Sequence, residues 1–171
     1  MLADQYGERL YNAGLALCRD HFDAQDLVQE TFAEALRSAS RFEGRSAPYT
    51  WLYGILRRRF LLSYRKKRRF LRILPLVGRE TRTSKSEEIS EAFHSLDPLM
   101  AAVMRLPAKY REVLFLRYIE IQSVAEIAAL TAVPEGTVKS RLHYARRRLK
   151  TIIGSEPDRA GLPAVEKIDE L

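Results

Sequence analysis

The chain has 171 residues, of which 46% are apolar and 30% charged, and its 29 basic and 22 acidic side chains leave a net charge of +7. This composition excludes a disordered chain, and no segment approaches the roughly 20 apolar residues of a membrane-spanning helix. The first residues lack the basic start and apolar core of a secretory signal, so a cytoplasmic location without membrane insertion is expected. A single cysteine and three scattered histidines favour neither a disulfide framework nor a metal site, and no cofactor is expected.

The charge is distributed in blocks. Residues 45–85 carry 13 basic and 1 acidic side chains and residues 123–153 carry 6 and 2, whereas residues 1–44 carry 4 and 8. Two basic blocks separated by acidic segments predict that a polyanion is bound at two places while the acidic segments face something else. On charge alone, a set of solvated helix faces is the alternative.

The first two predicted elements are helices. Apolar residues recur at spacings of three and four along most of the chain, which predicts an all-α fold. A first helix is predicted from Leu2 to Arg19, and Asp23 is a candidate N-cap for a second. The inward face of the first is predicted to consist of Leu10, Ala13 or Gly14, and Leu17. That of the second is predicted to consist of Val28, Phe32, Ala35 and Leu36.

A basic, aromatic helix is predicted next, with Ser46 as cap, Pro48 in its first turn and an end near Lys67. Residues 57–69, which cover the end of this predicted helix and the two residues after it, contain eight basic and no acidic side chains. Cations hold phosphates and exposed aromatic rings stack on unpaired bases, so this helix is predicted to bind separated strands. The alternative is core packing, and at least half of the five aromatic residues are expected to be buried: Tyr49, Trp51, Tyr53, Phe60 and Tyr64.

The segment after Phe70 is rich in proline, glycine and short polar residues, which favours a linker over residues 70–95. We therefore predict two small helical domains, residues 1–69 and 96–153, followed by a flexible tail over residues 154–171. Helices are predicted to resume at the cap and first-turn pair Asp97 and Pro98 and again at Pro107.

A helix-turn-helix is predicted over residues 123–150. Ser123 and Glu126 have the spacing of a capping box, and Ala132 lies in the short turn that follows. The next helix opens at Pro134 and is predicted to bury Val138, Leu142, Ala145 and Leu149. Its polar outer face is that of a recognition helix in the major groove, with an ordinary helical hairpin as the alternative. That face consists of Glu135, Thr137, Lys139, Ser140, Arg141, His143, Arg146 and Arg147.

The second helix carries an acidic face. Asp26, Glu30 and Glu34 follow one another in four-residue steps, and Asp23 precedes them. No lysine or arginine is expected among them to pair with, so the face is predicted to be either a solvated surface or a docking surface for a basic or polar partner helix.

The order of these elements resembles that of the bacterial extracytoplasmic-function (ECF) RNA polymerase sigma factors from about Tyr6 to Lys150. Five stretches carry the resemblance: DAQDLVQETF from Asp23, YTWLY from Tyr49, LPAKYREVL from Leu106, EIA from Glu126 and VPEGTVKSRL from Val133.

The resemblance implies that the first domain, sigma region two, docks on the clamp helices of the polymerase β′ subunit and melts the minus-ten element. The implied docking residues are Asp26, Leu27, Gln29 and Glu30. The implied minus-ten residues are Arg45, Tyr49, Trp51, Arg57, Arg58, Arg65, Lys66, Lys67 and Arg68.

The second domain, sigma region four, is implied to bind the minus-thirty-five element, while its helix from Tyr110 to Arg117 helps to form a surface for the β flap. The implied minus-thirty-five residues are Pro134, Glu135, Thr137, Lys139, Ser140, Arg141, His143, Arg146 and Arg147. An anti-sigma protein that holds the factor off polymerase is also implied.

Three residues depart from the family pattern. Relatives commonly have Asn and Asp where this chain has Arg58 and Leu62, so promoter readout there is expected to differ. Relatives usually have Gly where this chain has Ala132, and if the position needs a positive φ, alanine costs about 1 kcal/mol.

Two other functions remain open. A stand-alone helix-turn-helix regulator usually dimerises to read two half-sites, but no heptad or spare apolar helix is evident, so a monomer is expected when partners are absent. A sigma-like mimic that binds an anti-sigma protein would not need two basic DNA-facing blocks. No glycine-rich phosphate loop or nucleophile motif occurs, so an enzyme is not expected.

Overall fold

The computed structural model describes residues 2–73 and 98–154, and all the regular structure in these two ranges is helical. The chain divides into two compact units, Met1–Thr81 and Arg82–Leu171, and the division falls within the segment predicted as linker. The all-α prediction with two helical units is confirmed. Residues 74–97 and the predicted tail beyond residue 154 lie outside the described residues. The predicted helix cap Asp97 is among them.

In the described part of the first unit, residues 2–73, three α-helices pack on one another: α1 (Leu2–Cys18), α2 (His21–Ser38) and α3 (Pro48–Ile73). A short 3₁₀ turn, Ala39–Arg41, follows α2. Helix α1 buries the predicted face. Helix α3 begins at Pro48, one residue later than the predicted cap Ser46 would place it, and continues beyond Lys67 to Ile73. The largest buried side chains of this unit include Leu10, Leu52, Tyr53 and Leu56.

The cap of α2 differs from the prediction. Asp20, and not Asp23, is the N-cap, and its carboxylate accepts a hydrogen bond from the Asp23 amide at 2.8 Å. Arg19 before it has a φ of 66°, a left-handed conformation that turns the chain between α1 and α2. Helix α2 therefore starts three residues earlier than the predicted cap Asp23 would place it.

The inward face of α2 is also rotated from the prediction. Its buried residues are Ala24, Leu27, Thr31 and Ala35. Val28 and Phe32 are half-buried, and Leu36 is 81% exposed. Thr31 fits the core because its hydroxyl donates a hydrogen bond to the Leu27 carbonyl at 2.7 Å, which satisfies the polar group within the helix.

In the second unit the described helices pack around the one that ends at Gly154. Helices α4 (Pro98–Met104), α5 (Ala108–Leu114) and α6 (Val124–Thr131) each pack against α7 (Glu135–Gly154). Pro107 is the N-cap of α5, and a π-helical turn, Phe115–Ile119, extends that helix at its end. The core contains Val113, Leu116, Ile127, Val138 and Leu142. The buried Arg111 donates a hydrogen bond to the Leu106 carbonyl.

Candidate promoter and polymerase interfaces

The first helix of the helix-turn-helix starts at a capping box, as predicted. The Ser123 amide donates to Glu126 Oε2 at 2.7 Å, and the Glu126 amide donates to Ser123 Oγ at 3.2 Å. These hydrogen bonds hold the pKa of the Glu126 carboxyl below its usual range, because they favour the ionised form. The box fixes where α6 begins.

The turn between α6 and α7 passes through a left-handed residue. Ala132 has φ 48° and ψ 47°, and the amide of Val133 donates to the Ala128 carbonyl at 3.2 Å. This is a helix C-cap geometry that usually takes glycine. Ala132 therefore has the positive φ that the family's glycine at this position suggested, and alanine adopts this conformation at a cost in backbone energy.

Helix α7 has the two faces of a recognition helix. Val138, Leu142, Ala145 and Leu149 are buried as predicted. On the opposite face Thr137, Arg141 and Arg146 are half-buried. The other predicted residues are exposed: Pro134, Glu135, Lys139, Ser140, His143 and Arg147. The N-terminal half of α7 therefore presents a mixed polar surface that no other element within residues 98–154 covers.

An exposed aromatic residue on this face escaped the sequence prediction. Tyr144 is half-exposed and its ring meets that of His143 edge to face, with centroids 5.6 Å apart. Its position next to His143 could have indicated it, but a tyrosine within an apolar pattern is usually a core residue.

The basic surface of the first unit lies along α3 and the loop before it. Arg58, Arg65, Lys66 and Lys67 are exposed and Arg57 is half-buried. The side chain of Arg68 lies outside the described residues. Arg45, in the loop, is exposed and forms an ion pair with Glu43 at 2.5 Å.

Two of the five predicted aromatic residues of α3 are buried, fewer than the half expected, and one of them is Tyr49, which corrects the expectation that Tyr49 is available to DNA. Tyr49 is only 7% exposed, and the Arg9 guanidinium lies 3.9 Å from the centre of its ring. Trp51 is half-buried and stacks on Phe42 at 4.6 Å between centroids. Tyr53 is buried and Phe60 half-buried, so Tyr64 is the one exposed member of the five aromatic residues that the sequence singled out.

The acidic face of α2 does find basic partners, contrary to expectation. Glu34 Oε2 lies 3.0 Å from Arg37 on the same helix and 3.2 Å from Arg59 on α3. Glu30 lies 3.9 Å from Arg59, and Asp23 lies 3.9 Å from Lys67. The Arg37 hydrogen bond, with the nearby arginines, holds the pKa of Glu34 below its usual range. The sequence prediction did not include the pairing of Glu34 with Arg59, because the two residues are 25 positions apart and no spacing along one helix links them.

The other side of the acidic face points outward. Asp26 and Gln29 are exposed, and within residues 2–73 the structure pairs neither side chain with another group. Glu30, between the two sides, is 54% exposed. Leu27 corrects the expected docking set, because it is 5% exposed and packs into the core beneath this surface.

The described residues offer nothing that resembles a metal centre, since no three His, Cys, Asp or Glu side chains come together in them. In the same part of the chain no helix is long and apolar enough to cross a membrane.

Comparison with known proteins agrees with this arrangement. Residues 2–70 match the family Sigma-70 region 2 and residues 96–149 match Sigma-70, region 4. The ECF RNA polymerase sigma factor EcfG of Rhodopseudomonas palustris is 35% identical over 130 residues, which cover 76% of this chain and 71% of that protein. The ECF RNA polymerase sigma factor SigL of Mycobacterium tuberculosis is 32% identical over 154 residues, 87% of this chain and 85% of that one.

A solved structure is also similar. The sigma factor RpoE of Bartonella quintana, crystallised in complex with the anti-sigma factor NepR, matches with a TM-score of 0.67 and 29% identity over 92% of this chain and 99% of that one.

Proposed function

The chain belongs to the ECF RNA polymerase sigma factors, which direct core polymerase to promoters, and from this premise we propose how its two units divide the work. The first unit docks on the clamp helices of the β′ subunit and opens the minus-ten element. The second unit binds the minus-thirty-five element through α7. The observation that carries the proposal is the exposure of Asp26 and Gln29 on α2, a helix whose opposite face is fixed in the core.

The docking surface consists of Asp26, Gln29 and Glu30. Leu27 supports it from beneath, because its side chain fixes the rotation of α2 in the core. Glu30 is shared with Arg59, but Asp26 and Gln29 have no partner within residues 2–73, and such a polar, acidic surface is suited to a basic or polar helix of another protein.

The minus-ten surface consists of the exposed cations of α3 and of Arg45, with Trp51 at its edge. Cations along an extended helix follow a phosphate backbone. The residues proposed to contact DNA here are Arg45, Trp51, Arg57, Arg58, Arg65, Lys66, Lys67 and Arg68. The buried Tyr49 would support this surface from inside.

The minus-thirty-five surface is the outer face of α7, from Pro134 to Arg147. Residues near the start of a recognition helix reach base edges, and cations further along hold phosphates. Arg141 is proposed to read a base and Arg147 to hold the backbone. Helix α5 is proposed to contribute to the surface for the β flap.

The chain is further proposed to be a monomeric, non-catalytic cytoplasmic factor that an anti-sigma protein holds off polymerase. The Bartonella quintana relative crystallised with its anti-sigma factor supports this regulation. A sigma-like mimic would share that partner, but the exposed cations of α3 and α7 favour DNA binding over mimicry.

Transcription by core polymerase on a genomic promoter library, with and without this protein, tests the proposal. The expected result is a set of transcripts that start at few promoters and depend on the protein. Absence of such transcripts, together with tight dimeric binding of the protein alone to a palindrome, would favour a stand-alone regulator.

A further inference from the structure

Two neighbouring arginines of α3 lie in different environments. Arg59 is 31% exposed and lies against α2, where its guanidinium is 3.2 Å from Glu34 Oε2 and 3.9 Å from Glu30 Oε2. Arg58 is 63% exposed, and its nearest carboxylate oxygen, Glu34 Oε1, is 4.0 Å away. One arginine is therefore bound within the unit, whereas the other projects into solvent.

Glu34 accounts for the different environments of Arg58 and Arg59. Its side chain is 29% exposed and lies between the two helices, and its Oε2 accepts hydrogen bonds from both Arg37 and Arg59. A guanidinium that is hydrogen-bonded to a carboxylate has fewer donors for a phosphate, since both anions compete for the same N–H groups.

We infer that Glu34 is a positioning residue for DNA binding, which withholds Arg59 from the phosphate backbone and leaves Arg58 on the outer side of α3. Phosphate contacts raise the affinity for every DNA sequence alike, whereas base contacts discriminate between sequences. Keeping one cation out of the phosphate-binding set therefore lowers the affinity for promoter and non-promoter DNA alike and makes that affinity less dependent on salt. The inference rests on the proposed function, because it requires that α3 faces DNA.

The test uses the full chain assembled with core polymerase and two DNA fragments, one with a promoter and one without. Fluorescence anisotropy at several salt concentrations gives the affinity and its slope against log salt. Glu34→Gln keeps the shape of the side chain and should steepen the slope by about 0.7–0.9, the change for one added phosphate contact. The ratio of promoter to non-promoter affinity should stay unchanged, because a phosphate contact raises both affinities by the same factor.

Three comparisons make the result specific. Glu8→Gln changes the net charge equally on an exposed site of α1 and should leave the slope unchanged. In a chain that already carries Arg59→Gln, Glu34→Gln should no longer steepen the slope, because its effect passes through Arg59. A merely structural role of Glu34 would change the melting temperature and not this slope.

The outcomes separate this inference from the proposed function. If Lys66→Ala with Lys67→Ala lowers the slope but Glu34→Gln does not steepen it, the inference is wrong and α3 still faces DNA. If the lysine pair has no effect on the slope, α3 does not face DNA, and both the minus-ten assignment and the inference are overturned.

Discussion

Ser123 and Glu126 exchange two hydrogen bonds at the start of α6, each backbone amide donating to the other's side chain. Four amides at a helix start lack partners within the helix, so this exchange satisfies two of them. The box also sets the first residue of the helix that precedes the turn to α7. Helix α7 is thus positioned by a feature that lies outside the surface proposed to face DNA.

The capping box makes stability depend on pH. The pKa of Glu126 is lowered in the folded state, so the ionised carboxylate stabilises the fold above the unfolded pKa of about 4.3. That contribution is lost as the pH falls through the lower folded pKa. Urea unfolding should show the native chain to be more stable than Glu126→Gln at pH 6, with a difference that shrinks below about pH 4. A difference that grows on acidification would contradict the assignment.

Ala132→Gly should stabilise the protein by about 1 kcal/mol, since glycine adopts the left-handed conformation of this turn without the strain that alanine carries. Ala129→Gly is the matched control, because Ala129 is exposed within α6 and glycine there should cost about 1 kcal/mol. Thermal unfolding followed by circular dichroism measures both. Destabilisation by both substitutions would contradict the role given to Ala132.

Arg141→Ala should relax the preference for one base of the minus-thirty-five element. A bidentate contact between arginine and guanine gives about 1–3 kcal/mol of discrimination. Arg147→Ala, further along the exposed face of α7, should instead weaken all promoter variants alike. Binding of the polymerase complex to a set of promoter variants distinguishes them. An equal effect of Arg141→Ala on every variant would reassign that residue to the backbone.

Lys66→Ala with Lys67→Ala should weaken promoter binding without changing base preference, because lysine binds phosphates as a point charge. The slope of log affinity against log salt should fall by about 0.7–0.9 for each phosphate that the variant no longer neutralises. Open-complex formation, measured by permanganate reactivity at several salt concentrations, gives this slope. A changed preference at single bases would mean that these lysines read sequence.

Local signals predicted the helix-turn-helix well. The capping box, the four buried residues of α7 and the turn at Ala132 all depend on residues within a few positions of one another. Propensity and spacing are sufficient there, because each feature is fixed by hydrogen bonds or packing along the same short stretch of chain.

Tertiary contacts decided the features that the sequence did not predict. Thr31 is buried although it is polar, since its hydroxyl is satisfied within α2, and the apolar Leu36 is exposed. Tyr49 is buried although it lies beside a basic run. The ion pair of Glu34 with Arg59 joins residues 25 positions apart, and no pattern along one helix could indicate it.

Charge reversal of the docking surface tests the division of labour between the units most directly. Asp26→Arg combined with Glu30→Arg places like charge against a basic or polar partner helix, and surface changes of this kind usually shift stability by less than about 0.5 kcal/mol. Glu8→Arg on α1 is the control, and circular dichroism verifies the fold of each variant. The measurement is the affinity of each variant for core polymerase in a pull-down titration. The account predicts that the double variant loses polymerase while Glu8→Arg retains it, and an unchanged affinity of the folded double variant would contradict docking through α2.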